Sequence, residues 1–367
     1  IIWKYRMMKS MNGMSLFSSA GIGEYYLQRN GINIVVANEL IEKRANLHKS
    51  IYPDCSMVIG DITDELVFNE IREIAVQNKV EFMLASPPCQ GISVAGKNRD
   101  IDAMASDSRN YLITYVIKMI GIVEPKYIII ENVPLLLKLH LYINNKLLSI
   151  LDLLDQELSD KYEISYDVLD TADYGTPQYR RRAIIKLQKK GLVWPWPKKW
   201  KKKISVRKAI GDLPSLESGE KSSIKWHFAR KHTDNQVLWM QHTPTGCSAF
   251  DNNEYYPVKS DGTRIKGYNS SYRRIKWDEP APTITIRNDA ISSQRNVHPG
   301  RLMDNGLYSD ARVLSILELM RLTGLPDDWI IPDSTSELLV RQVLGECIPP
   351  LLIEALVKEI DYEIECS

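Results

Sequence analysis

Cys89 sits in the stretch Ser86-Pro87-Pro88-Cys89-Gln90-Gly91, directly behind two prolines that restrict the backbone leading into it. A free cysteine is most often a small buried hydrophobe. The loop-like flanks, SPP before it and QGISVAGKNRD after it, fit that role poorly. A restrained thiol after an apolar run is instead a candidate nucleophile. Downstream, Glu131 follows three isoleucines in IIIENV. Partial burial there would raise its pKa and suit it to holding a proton. The plain alternative is an acid capping a helix before Pro134. Arg180 and Arg182 of QYRRR open another apolar run, and strand alternation would send both to one face. Two guanidiniums so placed could clamp a phosphate or a carbonyl; a surface basic cluster is the competing reading.

A second set of residues points to a bound nucleoside. LFSSAGIGE (16–24) reads as strand, tight turn and helix start, where small residues let a ligand approach the backbone. The next strand ends in VVANE, with Glu39 placed to meet a ribose hydroxyl. A third ends in VIGDIT, with Asp61 at the neighbouring edge. Any one of these acids could simply be a surface carboxylate at a loop start. Together, three successive strand ends offering a turn, an acid and an acid favour a nucleoside-containing cofactor.

The elements that must hold these residues alternate. Strands are expected at MSLFS, INIVVANE, EFMLAS, KYIIIENV, YEISYDVLD and RRAIIKLQ. Helices are expected at GEYYLQRNG, ELVFNEIREIAVQ and NYLITYVIKMIGIV, with LLLKLHLYINNKLLSILDLLDQEL a long helix or a pair. Such alternation predicts an α/β fold: a doubly wound, mostly parallel sheet covered on both faces. From about 191 to 300, Pro, Gly, Ser, Asn, Tyr and Trp become frequent and helical periodicity fades, so loops and short β segments are expected. Past 300 the pattern is helical again. The expected organisation is a catalytic, cofactor-binding domain of residues 1–190 plus about 301–367, interrupted by a smaller irregular domain of about 191–300.

Composition narrows the class. The chain has 367 residues, 44% hydrophobic and 25% charged, an ordinary globular balance. No apolar run approaches the roughly 18 residues of a membrane span. The opening IIWKYRMMKS lacks the apolar core and cleavage site of a secretory signal. Five cysteines, with no CxxC pair, argue against a disulfide framework or a zinc site and for a reducing, intracellular setting. Net charge is only +1, but 194–208 reads WPWPKKWKKKISVRK. That run is either a solvated linker or a phosphate-contacting edge.

The ordered set LFSSAGIGE, ANE, GDIT, SPPCQGIS, DSRNYL, ENV, QYRRR, RRIKWDEPAPTIT, HPGR and GECIPPLL resembles the carbon-5 DNA cytosine methyltransferases of restriction-modification systems. The likeness runs from about residue 15 to 358. It implies a Rossmann-like methyltransferase domain, with the irregular segment as target-recognition domain and hinge. It implies Cys89 as the nucleophile at cytosine carbon 6 and Glu131 as the acid on ring nitrogen 3 and the exocyclic amine. Arg180 and Arg182 match the arginines that position the base and the active-site loop. Gln90 and Ser93 match the loop that closes over DNA. The positions matching those around S-adenosylmethionine are Phe17, Ser18, Ala20, Gly21, Ile22, Glu39, Asp61, Ile62, Pro87, Leu112 and Glu346. S-adenosylhomocysteine is then the product, and no metal is needed. This sequence departs from the family pattern at Ser19 and Ile22, where glycines are usual, and at Glu346, where asparagine is usual.

The resemblance further implies base flipping in double-stranded DNA, a functional pairing with a restriction endonuclease, a monomer, and a place in the prokaryotic cytoplasm with no membrane partner. Rival readings explain less. A NAD-type oxidoreductase accounts for the first turn and Glu39 but not for Cys89, Glu131 and the arginines. An amino-directed methyltransferase needs an aromatic where Cys89 stands. The tRNA-acting branch of the family carries CFT in the insert, and this chain does not. A DNA-binding protein without catalysis would have no need of Cys89.

Overall fold

A computed structural model describes residues 10–88 and 107–360. Cys89, Gln90 and Ser93 therefore lie outside the described residues. Within those described, the chain divides into two compact units. The first takes residues up to Asp170, Arg181–Lys198 and the chain from Leu352; the second takes Thr171–Arg180 and Lys199–Leu351.

The first unit holds nine strands: β1 Met11–Leu16, β2 Ile32–Glu39, β3 Ser56–Ile59, β4 Phe82–Ala85, β5 Tyr127–Asn132, β6 His140–Ile143, β7 Lys146–Ser149, β8 Tyr162–Asp170 and β9 Arg181–Lys189. Seven of them form one sheet in the order β3-β2-β1-β4-β5-β9-β8. The pairs from β3 through β5 are parallel, and β9 is antiparallel to both β5 and β8. Parallel strands buried on both faces need continuous apolar sequence, and FMLA of β4 and YIIIEN of β5 are buried at every position.

Helices α1 Glu42–Ile51, α2 Glu65–Gln77, α3 Leu112–Val123 and α4 Ile150–Leu158 are crossovers and flanks of this sheet. Alternation along β2 and β3 divides them between two cores. Val36 and Val58 join a large cluster with Phe68 and Ile71 of α2 and Val116 and Ile120 of α3. Their neighbours Ala37 and Met57 point the other way and pack with Ala45 of α1. Helices thus cover both faces, as the doubly wound reading requires.

Two expected helices are something else. GEYYLQRNG forms two short 3₁₀ turns, Ile22–Glu24 and Gln28–Asn30. Gly21 and Gly31 take left-handed conformations at their ends, and Asn30 Nδ2 donates to the Tyr26 carbonyl, competing with a regular helix. The expected long helix after β5 holds a 3₁₀ turn, Pro134–Lys138, and the β6–β7 hairpin before α4. Asn144 and Asn145, at φ 50° and 63°, make the two-residue turn that closes the hairpin.

The second unit is held by short helices and isolated bridges: α5 Val206–Ile210, α6 Asp234–Gln241, α7 Ile316–Thr323 and α8 Glu337–Glu346. Helix α9, Pro350–Val357, carries the chain back to the first unit. The loops and short β segments expected for the insert are present, with α5 and α6 among them. A core around Trp239, Met240, Tyr272 and Val313 lies beside buried charges. Arg312 there bridges Asp310 and Glu318, each at 2.8 Å.

Candidate active site

Strand order reverses between β1 and β4, and open α/β sheets bind ligands outside the carboxyl ends of the strands at that point. Ser86 joins the two ends. Its backbone N–H donates to the Leu16 carbonyl at 3.2 Å and its Oγ to the Phe17 carbonyl at 3.2 Å. The turn after β1 is bent sharply. Phe17, Ser19 and Gly21 have φ of 59°, 50° and 71°. A left-handed phenylalanine is rare, and such strain clusters at ligand sites. At Ser19, where the family pattern has glycine, the same conformation carries a side chain at a cost of roughly 1 kcal/mol. At Gly21 a Cβ would stand 2.4 Å from the Tyr52 ring, so only glycine fits.

Glu39 holds this turn. Its Oε2 accepts from the Ser19 N–H at 2.9 Å and its Oε1 from the Ile41 N–H at 2.7 Å. The carboxylate is buried, and each oxygen keeps a lone pair beyond these bonds. Asp61 is exposed beyond β3; Oδ1 accepts from the Thr63 N–H at 2.9 Å, and Oδ2 meets no donor among the described residues. Ala20 and Ile22 are buried, and Ser18 donates from its backbone N–H to the Asn38 carbonyl at 3.0 Å. Ile62 lies in the large apolar cluster, with Phe17 and Leu112 packed against it. The proposed cofactor residues of the first unit thus ring the carboxyl ends of β1 to β4.

The next strand ends carry the charged residues. Glu131 is buried near the end of β5, and its Oε1 pairs with Arg182 Nε at 2.7 Å. Both side chains are largely withdrawn from water, at 8% and 14% exposure, so each supplies the countercharge the other needs. Asn132 Nδ2 donates to the Pro87 carbonyl at 2.9 Å, and its Oδ1 accepts from the Val133 N–H at 2.8 Å. That bond fixes the buried Pro87, two residues before Cys89, to the strand that bears Glu131. Sequence reasoning missed Ser86 and Asn132 although both stand inside the quoted motifs.

Arg180 differs from the expectation of a shared face with Arg182. Strand β9 begins at Arg181, so alternation does not extend back to Arg180. Its buried guanidinium donates to the carbonyls of Ile284 at 2.8 Å, Gly345 at 3.1 Å and Glu346 at 2.9 Å, all in the second unit. A cation on the last carbonyls of α8 also complements that helix's dipole. Among the described residues no group of His, Cys, Asp and Glu could hold a metal ion. No helix among them is long and apolar enough to cross a membrane.

Known proteins resemble this chain along its length. A family model described as C-5 cytosine-specific DNA methylase matches residues 11–362. The chain is 64% identical over 357 residues to the Type II methyltransferase M1.HgaI of Avibacterium volantium, a match covering 97% of this chain and 100% of that one. It is 27% identical to the Type II methyltransferase M1.HphI of Haemophilus parahaemolyticus, over 96% of this chain and 87% of that one. A prophage-encoded protein of E. coli described as a DNA modification methyltransferase has the same fold, with a TM-score of 0.69 at 20% identity, over 95% of this chain and 98% of that one.

Proposed function

The chain belongs to the C-5 cytosine-specific DNA methylase family and is a DNA (cytosine-5)-methyltransferase; from that footing we propose that it works through a covalent Cys89 adduct on a flipped-out cytosine, with S-adenosylmethionine as methyl donor. The observation that carries the reading is the buried Glu131–Arg182 pair, beside the Asn132 bond that fixes the chain entering Cys89.

The residues around the carboxyl ends of β1 to β4 fit the cofactor. Glu39 has lone pairs left for ribose hydroxyls, and Asp61 Oδ2 is open to an adenine amine. Phe17, Ile62 and Leu112 supply apolar surface, Ser18, Ala20, Gly21 and Ile22 a close backbone, and Pro87 the remaining border within the first unit. When bound, S-adenosylmethionine supplies an electrophilic methyl group and leaves as S-adenosylhomocysteine.

The protein's own groups must make carbon 5 of cytosine reactive. The Cys89 thiolate forms a bond to carbon 6, and the 5,6 electron pair shifts toward carbon 5. A proton taken up from solvent is shared between the Glu131 carboxyl and ring nitrogen 3, which lets the ring accept that charge, and it returns to solvent when the thiolate departs. Arg182 keeps the Glu131 carboxyl oriented and is placed to steady the base. Arg180, bonded to three carbonyls, secures the backbone leading into β9. After methylation, loss of the carbon 5 proton returns its electrons to the ring, the 5,6 double bond reforms and the thiolate departs. A stacked base offers carbon 6 no such access, hence the flipping, with Gln90 and Ser93 in the loop that closes on DNA.

Residues of about 191–300 read the target sequence, while residues 1–190 and about 301–367 carry the chemistry. We further propose a monomeric enzyme whose methylation shields DNA from a partner restriction endonuclease; the Type II names of the curated relatives support the pairing with an endonuclease. The test is transfer of labelled methyl from S-adenosylmethionine to mixed-sequence duplex DNA, with tRNA offered alongside. 5-Methylcytosine in the DNA is expected; label in tRNA alone, or in neither, contradicts the reading.

A further inference from the structure

The lysine-rich run of 199–203 is folded, and it belongs to the second unit. Trp200 lies against Gly175, where a Cβ would stand 2.7 Å from the indole, and the Trp200 backbone N–H donates to the Asp173 carbonyl at 2.8 Å. Asp173 also draws in Lys203 Nζ at 3.1 Å and Lys199 Nζ at 3.7 Å. Lys203 further stands over the Tyr179 ring, 4.8 Å from its centre. The run is therefore a ribbon pinned at 199, 200 and 203 to the segment Thr171–Arg180.

Between the pins, Lys201 and Lys202 are exposed, and among the described residues neither takes part in an ion pair. Two of the four lysines of the run, Lys199 and Lys203, pair with Asp173, which leaves the charges of Lys201 and Lys202 uncompensated by it in a chain of net charge +1. A solvated linker has no need of a tryptophan laid against a glycine and a carboxylate to hold it in shape, although the Trp200 ring stays half exposed. A pinned ribbon presents ammonium groups with less entropy left to lose, which is what binding a polyanion rewards.

We infer that Lys201 and Lys202 contact the phosphate backbone of duplex DNA flanking the target, holding the protein on DNA without reading bases. The inference rests on the proposed DNA methyltransferase reading. It is tested on the full chain by measuring affinity for two labelled duplexes of unrelated sequence between 50 and 200 mM salt, the range over which phosphate contacts are resolved. The double variant Lys201→Gln/Lys202→Gln is expected to flatten the slope of log K against log salt by about 1.8, about 0.9 for each phosphate lost. Affinity at 0.1 M salt should fall roughly 10- to 100-fold, by the same factor on both duplexes. Lys201→Arg/Lys202→Arg keeps the charges and should keep the wild-type slope.

A wild-type slope in the glutamine variant overturns the inference, as does a loss confined to one sequence, which would mean base reading. Equal melting temperatures of wild type and variants would exclude unfolding as the cause of any change. The two readings fail separately. Wild-type protein that binds duplex DNA but transfers no methyl group contradicts the enzymatic reading and leaves the slope comparison valid. A wild-type slope in a fully active glutamine variant contradicts the ribbon alone.

Discussion

Glu131 and Arg182 are both withdrawn from water, so removing either side chain takes from the other the countercharge of this ion pair. Replacing Glu131 with Gln preserves shape but removes the carboxyl proposed to hold a proton at the base. The expected result is a kcat lowered about 10²- to 10⁴-fold with affinities for cofactor and DNA near wild type. Single-turnover methyl transfer beside equilibrium binding checks this, and a kcat near wild type would remove Glu131 from the chemistry. These residues were legible because ENV and QYRRR are local strings that bear charge beside apolar runs. The partner of Arg180 was not legible: one residue of difference in where β9 begins decides whether alternation applies to it. Ser86 and Asn132 escaped for a related reason. Their work is to bond carbonyls of Leu16, Phe17 and Pro87, and no local pattern announces a partner brought close by sheet order.

At the scale of elements, parallel strands were legible because burial on both faces demands uninterrupted apolar residues, as in YIIIEN. The β6–β7 hairpin was not, because leucines at helical spacing outweighed the Asn144-Asn145 signal for a two-residue turn. Glycines separate two kinds of element constraint. Gly345, in α8, approaches another segment so closely that a Cβ would stand 2.3 Å from the Thr285 carbonyl oxygen. Gly121, in α3, has nothing within 4 Å of the same position. Gly345→Ala should therefore lower the melting temperature markedly, since backbone must move. Gly121→Ala should raise stability by about 0.5–1 kcal/mol through reduced chain entropy in the helix. Thermal and denaturant unfolding check both, and equal effects would refute the distinction.

At the scale of the whole molecule, the second unit relies on buried charge more than on regular structure. Burial pushes the His298 imidazole down to about 3 from its ordinary 6.5, with Arg312 adding to the effect. Burial alone would raise the Glu318 carboxyl, but Arg312 and His298 outweigh it and hold it at about 2. Asp310 likewise sits below the usual carboxylate range despite burial, because of His298 and Arg312. All three bind fewer protons folded than unfolded, so stability is complete above about pH 6.5 and falls on acidification. The loss begins with His298 below 6.5 and deepens below about 4.5 as the carboxylates join. Melting temperatures between pH 8 and 4 should decline in that order, and a flat profile would contradict the network. The sequence showed HPGR as a family landmark, but gave no hint that its histidine is buried among charges contributed from residues 310–318.

The central claim is that Cys89 attacks carbon 6 of a cytosine in duplex DNA. Duplexes carrying 5-fluorocytosine test it most directly, because fluorine cannot leave as the carbon 5 proton does, and the thiolate stays bonded. With S-adenosylmethionine present, wild-type protein should form a complex that survives denaturing electrophoresis, and Cys89→Ala should form none. No adduct on DNA that the wild type methylates, or an adduct retained by Cys89→Ala, would contradict the account.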